Sequence, residues 1–147
     1  MNSVLINEEN FERARKEIRK NKGREIIFTS YNDETAKKVL EKEDISVLLI
    51  KQKNRKDRLK QRSSGLDSVM SKIAKKKRVV IGIDYDEIVN SRGKEKSEIL
   101  SRIKQNISLC NKEKVKMKFI SEKDINRYEV SALGLVLGMS TLLVKDL

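Results

Sequence analysis

The stretch SSGLDSVMSKIAKKKRVVIGID, residues 63–84, decides how this chain folds. Leu66, Val69, Met70, Ile73 and Ala74 recur at i, i+3, i+4, i+7 and i+8, an apolar stripe of helical period, so a helix is expected over residues 65–75. Four consecutive cations follow, then the Val/Ile run RVVIGID, which reads as a strand over 78–84. Working outward, the alternation repeats. Short runs rich in Ile and Val mark strands at 3–6, 25–30, 46–50 and 116–121, and helical stretches fall at 8–21, 33–41 and 94–111. Asn7 is the expected N-cap of the first helix and Gly23 its stop. In the last of them Ile99, Leu100, Ile103 and Ile107 form the apolar stripe. VSALGLVLGM, 130–139, is apolar almost all round and reads as a buried helix, with Gly134 and Gly138 allowing another backbone to approach. The terminal TLLVKDL is open to being a further strand. The expectation is a single α/β domain over 1–147, made of five to six parallel βα units, fewer than the eight of a closed barrel.

The length of 147 residues suits one domain with one core. Charge is unevenly placed. The chain carries 34 Lys+Arg against 22 Asp+Glu, a net +12. Residues 1–50 are balanced, and nearly all of the surplus falls in 51–78, where twelve cations meet two acids. KQKNRKDRLKQR brings Lys51, Lys53, Arg55, Lys56, Arg58, Lys60 and Arg62 into a loop spanning 51–64, after a strand and before a helix, where βα folds bind ligands. Lys72, Lys75, Lys76, Lys77 and Arg78 form the second cluster, and Lys116 and Lys118 alternate with Met117 and Phe119 to give one basic strand face. Such a local excess matches a polyanion, and these fourteen side chains are the candidate RNA-binding set.

The absences bear on chemistry. With no His there is no Ser-His-Asp or Cys-His system and no His-ligated metal, and the single cysteine, Cys110, rules out an internal disulfide. No apolar run nears the ~20 residues of a membrane span and the first residues lack a signal-peptide pattern, so a cytoplasmic protein is expected. Asp84, Asp86 and Glu87 follow a strand and are the candidates for a divalent cation, with turn and cap roles as the competing reading. Gly82 marks a close backbone approach or a bulge. Ser63, Ser64 and Gly65 before a helix offer either a phosphate seat or ordinary capping.

From Arg62 onward the order of RSSGLDSVMSKIAKKKRVVIGID, ILSRIKQNISLCNKEKVKMKFIS and EVSALGLVLGM is similar to the archaeal ribonuclease P protein component 3 family. The matching positions are Gly65, Leu66 and Asp67, Lys72 with Lys75 to Lys77, Arg102 with Asn106, Ser121, and Ala132 to Met139. The resemblance implies a shortened TIM-barrel-like fold of the PHP type without the metal-binding histidines of PHP phosphoesterases. It implies a subunit with no catalytic or metal-ligating residue of its own that supports the catalytic RNA in removing 5′ leaders from precursor tRNA. Mg2+ is expected with that RNA and no cofactor on this chain. The implied partners are ribonuclease P RNA, precursor tRNA and protein component 2, in a hetero-oligomer. The shortening predicts an isolated chain that is marginal or self-associating until component 2 binds. A generic RNA-binding module and a small metal-dependent phosphoesterase using Asp84, Asp86 and Glu87 are the alternatives.

Overall fold

The structure, a computed structural model, describes residues 3–56, 63–145 and 147. Five strands, β1 (Ser3–Asn7), β2 (Glu25–Thr29), β3 (Val47–Ile50), β4 (Val80–Asp84) and β5 (Met117–Ile120), form one sheet. Its order is β1-β2-β3-β4-β5 and every pair is parallel. The strands fall where the Ile/Val runs place them. Between them lie α1 (Phe11–Lys20), α2 (Asp33–Lys42), α3 (Ser68–Lys77), α4 (Tyr85–Asn90) and α5 (Gly93–Glu113), with α6 (Arg127–Val136) and α7 (Thr141–Lys145) after β5.

Parallel neighbours joined by right-handed crossovers in one direction put the main helices on one face of the sheet. Ile6, Phe28, Leu48, Ile81 and Met117 sit in register across all five strands and are buried against Ala14, Ile18, Leu40, Met70, Ala74, Ile103 and Ile107. The other face is unevenly covered. There Leu5 and Lys118 are exposed, while Val47 and Leu49 of the central strand are buried. Gly82 makes room for this: a Cβ there would stand 3.0 Å from Val47 Cγ1 and 3.3 Å from the Leu49 Cα, closer than packed neighbours tolerate without shifting. Close approach, the first of the two readings of Gly82, is what the structure has.

Several boundaries differ from the sequence reading for local reasons. Asn7 pairs in β1, and Asn10 caps α1 by accepting from the Arg13 amide at 3.1 Å. The displacement follows from Glu8, whose carboxylate gathers the amides of Glu9 and Asn10 into a turn. Helix α3 starts later than Gly65, because the Asp67 carboxylate caps it at the Met70 amide, 2.8 Å. Val69, placed in the stripe, is half exposed. The terminal segment is helix α7 rather than a sixth strand: Ser140 Oγ caps it at the Leu143 amide, and Leu143 turns into the core.

Helix α6 is buried on one face only. Val130 and Gly134 point inward, while Tyr128, Leu135 and Val136 are exposed. A Cβ at Gly134 would meet the Sδ of Met139 at 2.8 Å, so the glycine accommodates the chain's own return. Gly138, at φ 105°, makes that return possible by ending the helix in a left-handed turn.

Candidate nucleic-acid interface

The basic loop leaves the C-terminal end of β3, and both of its ends are anchored by buried polar side chains. Gln52 is buried and donates through Nε2 to the Ser64 carbonyl at 2.8 Å, which closes the loop across its base. Asn106 Nδ2 donates to the same carbonyl at 3.0 Å. Arg102, also buried, donates to the carbonyls of Gln52 (3.3 Å) and Arg55 (2.8 Å). Arg102 and Asn106 lie one turn apart on α5, among the buried Ile99, Ile103 and Ile107. Polar side chains in an apolar stripe are the sequence signal for such a clamp, because a buried donor needs an acceptor. Gly65 completes it at φ 81°, where any Cβ would strike the Ile50 side chain at 2.7 Å.

Helix α4, not among the helices expected from the sequence, is a bracket for the neighbouring segments. Asp84 caps it at the Glu87 amide and lies 3.8 Å from Lys51 Nζ. Asp86 accepts from Ser121 Oγ and from the Glu122 amide, which hold its carboxyl below the usual carboxylate range. Glu87 accepts from the amides of Gln52 (2.8 Å) and Lys53 (3.2 Å). Burial nevertheless pushes its carboxyl upward. All three acids are thus engaged in positioning the loops after β3 and β5, and among the described residues no cluster of three or more carboxylates or thiols fits a metal ion. Cys110 is buried and its thiol is pushed up to about 12, far from a nucleophile.

The candidate RNA-binding residues divide by position. Arg58, Lys60 and Arg62 lie outside the described residues. Lys53 and Lys56 are exposed, whereas Arg55 is turned inward, 2.9 Å from Asp33 and donating through Nε to the Lys51 carbonyl at 2.7 Å. Lys72, Lys76 and Arg78 are exposed, but Lys77 donates to the carbonyls of Leu40 and Glu43 and so closes the end of α2. Lys116 and Lys118 are exposed beside β5. The two basic clusters that bracket α3 occupy opposite ends of the sheet, one after β3 and one before β4. The Ser63-Ser64-Gly65 segment is no phosphate seat: Ser64 is buried, its hydroxyl faces the Leu66 carbonyl and Gln105, and the helix start is held by the Asp67 carboxylate.

This arrangement predicts unequal roles. Lys53→Gln with Lys56→Gln should flatten the log-log salt dependence of RNA binding by about 1.4–1.8, from 0.7–0.9 per phosphate contact. Arg55→Gln should leave the slope in place and lower thermal stability instead. Binding isotherms across a salt series check both.

No family model matches the chain. Over 106 residues, 72% of its length, it is 27% identical to ribonuclease P protein component 3 of Methanococcus maripaludis (strain C7 / ATCC BAA-1331), of which it spans 43%. A chain in a cryo-EM structure of archaeal ribonuclease P with mature tRNA matches it with a TM-score of 0.78 at 23% identity, covering 97% of this chain and 62% of that one. The chain therefore spans less than half the length of the curated relative it matches. In sequence this chain is similar to ribonuclease P protein component 3, and in fold to a chain of an archaeal ribonuclease P structure.

Proposed function

We propose that this chain is a noncatalytic subunit of ribonuclease P that supports the catalytic RNA in removing 5′ leaders from precursor tRNA. The observation that carries this reading is the likeness to component 3, joined to a basic loop clamped from beneath by Arg102 and Asn106, two of the positions in the motif order that resembles that family. Exposed cations of the loop contact phosphates, and divalent ions for the reaction stay with the RNA. Component 2 is the protein partner, and the exposed apolar face of α6 and α7, with Tyr128, Leu135, Val136 and Leu142, is the surface for it. No helix among the described residues is long and apolar enough to cross a membrane.

Reconstitution of precursor-tRNA cleavage with and without this chain tests the proposal: its omission should lower the rate at limiting Mg2+. Asp84→Asn with Asp86→Asn should leave the rate of the folded, assembled complex within a few-fold. A loss of many orders of magnitude would return the chemistry to these carboxylates.

A further inference from the structure

Helices α3 and α5 end alike. Arg78 closes the first and Lys114 the second, both left-handed, at φ 59° and 57°. Each precedes a buried valine, Val79 or Val115, whose amide donates 2.9 Å to the carbonyl of Ala74 or Cys110. Glycine is the usual residue at such a turn, because a Cβ at positive φ is strained. Favourable interaction of cations with helix C-termini does not explain the choice, since the last turns already carry Lys75, Lys76 and Lys77 in α3 and Lys112 in α5.

Between the two caps, at the N-terminal ends of β4 and β5, lies a cleft of about 380 Å3 whose charged lining is Lys75, Arg78, Lys114 and Lys116, with no carboxylate. Lys75 Nζ donates to the Lys114 carbonyl at 3.1 Å and ties the caps together. Arg78, Lys114 and Lys116 are exposed and make no ion pair among the described residues. Cations gathered around one cleft repel each other until an anion enters. We propose that this cleft seats a phosphate of an RNA backbone, so that the chain holds RNA at both ends of its sheet. The two seats lie at opposite ends of the strands, each strand of five residues being about 15 Å long. The proposal rests on the RNA-binding reading above and adds a second site to it.

Arg78→Gly with Lys114→Gly is the informative variant, because it removes two charges and relieves two strained turns. The full chain, titrated with transcribed ribonuclease P RNA across a salt series, should lose about 1.4–1.8 from its log-log slope. Its thermal midpoint should hold or rise. A fall in the midpoint would assign the cations to the caps and overturn the proposal. The charge-matched Lys104→Gln with Lys112→Gln should move the slope less, and an equal effect would reduce the site to overall charge. If Lys53→Gln with Lys56→Gln flattens the slope and the glycine variant does not, the second seat is wrong and the RNA reading stands. If neither does, the RNA reading itself falls.

Discussion

Gly65→Ala should destabilise the protein by about 2–4 kcal/mol, from strain at positive φ together with a forced shift of packed neighbours. Gly93→Ala should cost only about 1 kcal/mol, from the strain alone. Both glycines have positive φ, 81° and 59°, so the local backbone term is shared. They differ in surroundings. An added methyl at Gly65 meets the Arg55 guanidinium at 2.5 Å and Ile50 Cγ2 at 2.7 Å, whereas at Gly93 it meets nothing within 4 Å. The Arg55 end is flexible and yields, but Ile50 belongs to the core and does not. For a chain of this size the larger cost corresponds to a fall of about 5–15 °C in the thermal midpoint. Equal shifts for the two variants would show that the Gly65 turn is not held against β3.

Arg102→Met should loosen the loop more than it harms the core. Methionine fills much of the same volume beside Ile99 and Ile103, while the carbonyls of Gln52 and Arg55 lose their charged donor. About 2–4 kcal/mol of stability should go with it, given the cost of buried acceptors left unpaired. Proteolytic cleavage within residues 51–62 should rise steeply, and on the proposed reading RNA affinity should drop by tenfold or more as the segment that carries Lys53 and Lys56 loses its anchor. Limited proteolysis beside thermal unfolding checks this. Unchanged cleavage would mean that Gln52 and Asn106 suffice to hold the loop base.

The five strands were legible because Ile/Val runs bounded by polar segments have few other homes, and the long helices because their stripes keep a 3.6-residue period. Helix α4 was not, since YDEIVN is short and its acids are also turn formers; only its place after β4 makes Asp86 and Glu87 acceptors for residues 35 positions away. Charge density marked the basic loop, yet density cannot separate Lys53, which faces solvent, from Arg55, which folds back onto Asp33. Lys114 escaped notice for a related reason: it lies among balanced charges, and only a left-handed cap brings it to Arg78.

The consecutive strand order bears on how the molecule is made. Every strand pairs with the one synthesised just before it, so a nascent chain extends its sheet from the N-terminus with each new partner already in place. Contacts close over short separations, which keeps the entropic toll of each step small. The two widest gaps are the ones across residues 51–79, between β3 and β4, and 85–116, between β4 and β5. Gln52 can reach the Ser64 carbonyl early, but Arg102 and Asn106 lie on α5, so the basic loop is fully fastened only after that helix has emerged.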